Sequence, residues 1–152
     1  MATDLNDMPP AVVSGLRVLV VDDNPDQATM LAVLVQSWGH AVEIAHTAAE
    51  AMRVADAYRP RVVLLDLGLP DRHGYDLADD LRRQARDRKL YFIVVTGWAQ
   101  IADQLRSTAS GIRHHLMKPV NRAMLRELLA AYADTNEAIE ARNPKTVRAS
   151  RE

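Results

Sequence analysis

Short apolar runs alternate along this chain with longer segments whose apolar residues recur every three or four positions. The short runs predict β-strands at 17–21, 41–45, 61–67 and 91–97 and within 112–119. The periodic segments predict helices at 24–39, 47–58, 75–87, 99–110 and 121–141. Strict alternation of strand and helix is typical of α/β folds, so we expect a doubly wound, five-stranded parallel sheet with helices on both faces.

The two ends of the chain differ in composition from this alternating region. Residues 1–15 are acidic and contain Pro, and the last residues are polar and basic. We therefore expect a flexible leader over 1–15, one domain over 16–133, and a helix extension with a disordered polar tail over 134–152.

Composition excludes several classes of protein. The 152 residues include 19 Lys and Arg against 20 Asp and Glu, a net charge of −1, so direct binding to nucleic acid or to an anionic membrane is not expected. There is no Cys, which excludes disulfides and thiolate metal sites. The amino-terminal segment does not resemble a signal peptide, and no apolar run reaches the ~18–20 residues that span a bilayer. The expected location is the cytoplasm.

Carboxylates follow directly on two of the predicted strands. Asp22 and Asp23 come after the first strand, and Asp66 closes the third. Burying such groups costs free energy, and each one raises the proton affinity of its neighbour. Ligands of doubly wound sheets bind at the carboxyl ends of the strands. We therefore expect either that a cation occupies this edge of the sheet or that the strand ends open to water.

Two other inner strands end in residues that suit phosphoryl chemistry. Thr96 closes the fourth strand and Lys118 follows the fifth. Hard oxygen ligands favour Mg²⁺, and Mg²⁺ with an ammonium suits a dianionic phosphoryl group. Because a carboxylate can accept a phosphoryl group, Asp66 is the predicted nucleophile. Asp22 and Asp23 would hold the metal, and the hydroxyl of Thr96 would contact a phosphoryl oxygen.

The end of the second predicted strand carries none of this chemistry. His46 and Thr47 follow it, and Thr47 is the predicted cap of the next helix, with Glu50 completing a capping box. We therefore expect no contribution to the site from this edge of the sheet.

Four motifs, in this order and spacing, resemble the receiver domain of two-component response regulators over residues 16–133. They are VVDDN (20–24), DLGLPDRHG (66–74), VVTG (94–97) and MKP (117–119). The resemblance implies a flavodoxin-like strand order, and phosphorylation of Asp66 by a histidine kinase or phosphotransfer protein. It also implies that Mg²⁺ is held by Asp22, Asp23, Asp66 and the backbone carbonyl of Gly68.

The same resemblance implies a conformational switch. Thr96 and Lys118 would contact the phosphoryl group, and the peptide bond before Pro119 would be cis. On phosphorylation Thr96 would move toward the phosphoryl group, and His115, in place of the usual Tyr or Phe, would turn inward behind it. The surface of the fourth and fifth predicted helices and the fifth strand would then signal to a downstream protein partner. The stretch HHLMKPV is most similar to receivers attached to hybrid sensor kinases.

Three other functions fit less of the sequence. Aspartyl-phosphate phosphatases and phosphotransferases carry a second Asp two residues after the nucleophile, where this chain has Gly68. A receiver-like scaffold that only binds proteins would not need the full set of Asp, Thr and Lys. A nucleotide-binding module would need a G-x-G-x-x-G or P-loop motif, and the chain has neither. We expect a signalling domain and not an enzyme acting on an external metabolite. Because residues 134–152 are too few for a further domain, we expect either a stand-alone receiver or a piece of a larger chain, with output through a partner protein or by passing the phosphoryl group on.

Overall fold

A computed structural model describes residues 15–97, residue 112 and residues 114–142. The strands are β1 Arg17–Val21, β2 Ala41–Ala45, β3 Val62–Asp66, β4 Tyr91–Thr96 and β5 His114–Met117. The helices are α1 Pro25–Ser37, α2 Ala48–Tyr58, α3 Gly74–Ala85 and a C-terminal helix, Arg122–Arg142. These elements confirm the predicted ones to within two residues at each end, apart from the helix predicted at 99–110, which lies outside the described residues.

The five strands form one parallel sheet in the order β2-β1-β3-β4-β5. Val21 at the end of β1 pairs with Ala45 of β2 on one side and Leu65 of β3 on the other. Thr96 at the end of β4 pairs with Met117 of β5. All the carboxyl ends therefore lie along one edge of the sheet. The strand order reverses between β1 and β3, which is where ligands bind in doubly wound sheets.

Helices cover both faces of the sheet, and this explains the unbroken apolar runs of its inner strands. All five residues of β3 are buried, and so are the last four of β1. On one face, α2 and α3 pack on alternate strand residues, including Leu19, Val21, Val63, Leu65, Phe92 and Val94. On the other face, α1 packs against β1 and β2. The predicted three-layer αβα sandwich is thus confirmed.

Side-chain caps fix where α1 and α2 begin. Asn24 accepts hydrogen bonds from the backbone N–H groups of Asp26 and Gln27 at 3.0 and 3.1 Å. Thr47 caps α2 as predicted, with its Oγ1 accepting from the Glu50 N–H at 3.1 Å. The Glu50 carboxylate completes the box one residue earlier than usual, because it accepts from the N–H of His46 at 2.7 Å.

The C-terminal helix belongs to a separate compact unit that begins at Arg122. Its buried residues, Leu125, Leu129 and Ala133, recur at every fourth position, as expected for one apolar stripe. The helix continues to Arg142, past the predicted boundary at residue 133, and the division of the chain into leader, domain and tail stays a prediction. None of the helices in the described ranges is long and apolar enough to cross a membrane.

Candidate functional site

Four polar side chains meet at the carboxyl-terminal edge of the sheet. Asp22 follows β1, Asp66 ends β3, Thr96 ends β4 and Lys118 follows β5. Asp22, Asp66 and Thr96 are buried, with exposures of 2%, 7% and 2%. The strand order places these strand ends side by side. The fold therefore gathers residues that lie far apart in the sequence into one small polar site.

The ammonium of Lys118 bridges two of the carboxylates. Its Nζ lies 3.3 Å from Asp22 Oδ2 and 3.4 Å from Asp66 Oδ2. Its backbone N–H donates to the carbonyl of Thr96 at 2.8 Å, and the peptide bond between Lys118 and Pro119 is cis. The backbone bond holds the end of β5 against the end of β4, and the side chain reaches from there across β3 to the end of β1.

Three carboxylates at this edge form a group that could hold a metal ion. Oxygen atoms of Asp22, Asp23 and Asp66 all lie within 4.8 Å of one another. Asp23 is exposed, so the group also opens to solvent. The N–H of Gly68 donates to Asp66 Oδ1 at 3.0 Å, which brings the Gly68 backbone beside the carboxylates. A cluster of carboxylate and carbonyl oxygens is the donor set that Mg²⁺ prefers.

The electrostatics of the site favour a bound cation. Burial raises the pKa of Asp22, and the nearby Asp66 carboxylate raises it further. A hydrogen bond of 2.9 Å from the Asn24 N–H to Asp22 Oδ1, together with the charge of Lys118, opposes this rise without cancelling it. Among the residues that the structure describes, Lys118 is the cation paired with Asp22 and Asp66. Added positive charge would favour the ionised form of Asp22.

The backbone after Asp66 turns tightly because α3 begins with a glycine. A Cβ at Gly74 would lie 2.8 Å from both Cα and Cδ2 of Leu67 and 3.1 Å from the carbonyl oxygen of Asp66. Real Cβ atoms essentially never approach other atoms within 3.0 Å. The Gly74 N–H also donates to the Leu67 carbonyl at 3.2 Å. Glycine at this position therefore lets the start of α3 pack directly against the end of β3.

His115, the predicted switch residue, contacts a buried tyrosine. Its Nε2 lies 3.3 Å from the hydroxyl of Tyr75, and the two rings meet edge-on with centroids 6.5 Å apart. Tyr75 is only 1% exposed and lies in the first turn of α3. Burial lowers the pKa of His115, and the neighbouring His114 lowers it further, so both effects favour the neutral ring. Sequence reasoning did not identify Tyr75 as its partner.

Two further residues missed by the sequence analysis contact the loops that carry the acids. Asp71 accepts hydrogen bonds from the backbone N–H groups of Ala48 and Ala49 at 2.8 and 3.0 Å, and these bonds hold the pKa of its carboxyl below the usual value. His46 contacts the carbonyl oxygen of Asp22 through Nδ1 at 2.9 Å. The turn residues PDRHG around Asp71 predicted a loop, but not which helix its side chain would reach.

Comparison with known proteins identifies the family. The chain matches the response regulator receiver domain over residues 18–130 and belongs to that family. Protein PilH of Pseudomonas aeruginosa is 30% identical over 115 residues, which cover 76% of this chain and 95% of PilH. The DNA-binding dual master transcriptional regulator RpaA of Synechocystis is 28% identical over 114 residues. Those residues cover 75% of this chain but only 46% of RpaA, so the chain spans about half the length of this relative.

Solved structures agree with the fold. A CheY-like receiver domain protein from Methanospirillum hungatei superposes with a TM-score of 0.73 and 29% identity, over 82% of this chain and 98% of that structure. The receiver domain of a Pseudomonas aeruginosa sensor histidine kinase, solved with a magnesium ion coordinated in its active site cleft, gives a TM-score of 0.69 and 29% identity. That match covers 79% of this chain and 98% of the kinase receiver. The chain is therefore a receiver domain of two-component signalling with the flavodoxin-like fold.

Proposed function

We propose that this chain accepts a phosphoryl group on Asp66 in a Mg²⁺-dependent reaction. The observation that carries the proposal is the bridge from Lys118 to Asp22 and Asp66 beside the three clustered carboxylates. Asp22, Asp23, Asp66 and the Gly68 carbonyl would hold the metal ion, whose charge neutralises phosphoryl oxygens when it is bound. The donor would be a histidine kinase or a phosphotransfer protein.

Each residue of the site has a distinct part in the proposed transfer. A carboxylate oxygen of Asp66 forms a bond to phosphorus while the bond from phosphorus to the donor breaks and the donor leaves with its electron pair. Lys118 is placed to neutralise charge on the phosphoryl oxygens, and the Thr96 hydroxyl to donate a hydrogen bond to one of them. Because these groups are fixed at neighbouring strand ends, little reorganisation is needed during transfer.

The proposed output is a change on the surface around β5. His115 would move behind Thr96 when Asp66 is phosphorylated, and the altered surface would be recognised by a protein partner. No direct contact with nucleic acid or membrane is proposed, and the domain of residues 16–133 would act in the cytoplasm. The contact between His115 and Tyr75 supports this switch, since it links β5 to the start of α3, which follows the phosphorylated loop.

Nuclear magnetic resonance tests the switch directly. Phosphorylation of a ¹⁵N-labelled sample is expected to shift the ring resonances of His115, because the ring would leave the hydroxyl of Tyr75. The variant Tyr75→Phe, which lacks this hydroxyl, should show a smaller shift. Ring resonances of His115 that are identical before and after phosphorylation would contradict the proposed switch.

Intact-mass spectrometry tests the phosphorylation itself. With acetyl phosphate and Mg²⁺ we expect one phosphoryl adduct on the wild-type protein and none with a chelator. Asp66→Ala should give no adduct, whereas Asp56→Ala, which removes an exposed carboxylate of α2, should behave as wild type. Equal adduct yields with and without chelator would contradict the metal site. No adduct under either condition would favour a receiver-like scaffold that binds proteins without phosphorylation.

A further inference from the structure

We propose that the backbone N–H groups of Ala48 and Ala49 at the start of α2, together with the side chain of His46 just before it, fix the positions of two loops relative to each other and thereby set the affinity for Mg²⁺. One loop follows β1 and carries Asp22 and Asp23, and the other follows Asp66 at the end of β3 and carries Gly68. The inference rests on the proposed function and assigns positioning roles to Asp71 and His46. Neither side chain belongs to the group that could hold the metal ion.

Asp71 connects the loop after β3 to α2. Its two carboxylate oxygens accept separate hydrogen bonds from Ala48 and Ala49, at 2.8 and 3.0 Å. Both donors lie in the first turn of α2, where backbone N–H groups have no partner within the helix. A carboxylate at this end also interacts favourably with the helix dipole. Asp71 lies three residues after Gly68, so these bonds restrain the loop whose carbonyl is the proposed metal ligand.

His46 connects the loop after β1 to the same end of α2. A carbonyl oxygen can only accept, so the 2.9 Å contact with Asp22 requires that His46 Nδ1 carries the proton and donates it. The Asp22 N–H in turn donates to the carbonyl of Ala45 at 3.0 Å. Asp22, next to the exposed Asp23, is therefore held through its backbone N–H by the last residue of β2 and through its carbonyl by the turn between β2 and α2.

These hydrogen bonds connect the start of α2 and the turn before it to both loops, and so restrain one loop relative to the other. Mg²⁺ demands near-octahedral geometry with ligands at about 2.0–2.1 Å, so a small drift of one loop against the other removes a ligand. Outer groups that orient metal ligands change metal affinity by about 10–100-fold when they are mutated. The hydrogen bonds of Asp71 and His46 act on the loop backbone and not on the ligand atoms themselves. We therefore expect changes in Mg²⁺ affinity at the lower end of that range.

Calorimetric titration with Mg²⁺ separates positioning from general stability. Asp71→Ala removes both bonds to α2 and is expected to weaken Mg²⁺ binding about tenfold. Asp71→Asn keeps one acceptor oxygen and should weaken binding less than Asp71→Ala does. Thr47→Ala is the matched control, since it removes a cap from the same end of α2 without touching either loop. It should lower Tm about as much as Asp71→Ala and leave Mg²⁺ affinity unchanged.

The Mg²⁺ dependence of the rate of phosphorylation by acetyl phosphate is a second measurement of the positioning role. Asp71→Ala and His46→Ala should raise the Mg²⁺ concentration that gives half the maximal rate, while the rate at saturating Mg²⁺ stays near that of wild type. If Asp71→Ala and Asp71→Asn bind Mg²⁺ as tightly as Thr47→Ala, the positioning role is wrong even though the proposed function stands. If the wild-type protein itself binds no Mg²⁺, the proposed function fails, and this inference fails with it.

Discussion

Replacing Asp22 by Asn is expected to stabilise the folded protein and, at the same time, to remove its response to Mg²⁺. Asp22 is almost fully buried, and burial together with Asp66 raises its pKa, so the ionised form is disfavoured in the folded state. An amide keeps the shape and the hydrogen bond from Asn24 but carries no charge. Lys118 keeps Asp66 as a partner. We expect a gain of about 1 kcal/mol in the free energy of unfolding, or about 4 °C in Tm.

Thermal unfolding in chelator measures the expected gain in stability, and thermal unfolding in Mg²⁺ measures the expected loss of the response to the ion. A ligand that binds only the folded state raises Tm, so Mg²⁺ should stabilise the wild-type protein. In Asp22→Asn the Tm should start higher and rise little with Mg²⁺, and the yield of phosphoryl adduct should fall at least tenfold. Asp56→Asn serves as the control for loss of an exposed carboxylate. A variant less stable than wild type in chelator would contradict the electrostatic argument.

Replacing Lys118 by Met should have the opposite effects: it should lower the stability of the folded protein and increase the rise of Tm with Mg²⁺. Among the described residues, Lys118 is the one cation that forms ion pairs with Asp22 and Asp66. Its removal leaves two buried carboxylates facing each other. The expected loss is about 2 kcal/mol, or about 8 °C in Tm, below the cost for a fully buried pair because the Lys118 side chain is 24% exposed.

Mg²⁺ should restore much of the stability that Lys118→Met loses, because a divalent cation screens the same carboxylates. The rise of Tm with Mg²⁺ should therefore be larger in this variant than in wild type. Phosphoryl adduct should still decrease, since the ammonium that neutralises the phosphoryl oxygens is gone. Lys89→Met, which removes an exposed ammonium, provides the control. A Lys118→Met protein as stable as wild type in chelator would show that the bridge contributes nothing to the fold.

The acidic pair shows how far sequence reasoning could go. Successive residues of an extended chain point to opposite sides, and the structure accordingly buries Asp22 and exposes Asp23. Of the two alternatives raised by the sequence, the opening of the strand end to water is seen at Asp23. Occupation of the clustered oxygen ligands by a cation stays a prediction. The apolar runs predicted the strands. Because the strands are parallel, their carboxyl ends share one edge, so the meeting of Asp66, Thr96 and Lys118 could be predicted without knowing any side-chain contact.

The side-chain contacts that hold the loops around the site could not be predicted in the same way. The end of β2 was expected to make no contribution to the site, yet His46 contacts the Asp22 carbonyl. Likewise Asp71 reaches the first turn of α2, and Tyr75 reaches His115 across 40 residues of sequence. Strand positions follow from the period of the apolar pattern. Hydrogen bonds between loops and helix ends depend on backbone conformations and helix placements that no periodic pattern encodes.

The strand order also determines when the site can exist during folding. Asp22 and Lys118 meet across 96 residues of sequence, and in the folded sheet the pairings of β1 with β3, β3 with β4 and β4 with β5 connect them. Contacts of such high sequence separation form slowly, because the entropy of closing the chain is lost before they stabilise anything. A chain shortened before β5, or one still emerging from the ribosome, would carry its acids without the ammonium that bridges them. The bridge from Lys118 to Asp22 and Asp66 is thus a property of the finished topology, and the acids stay without it until β5 has joined the sheet.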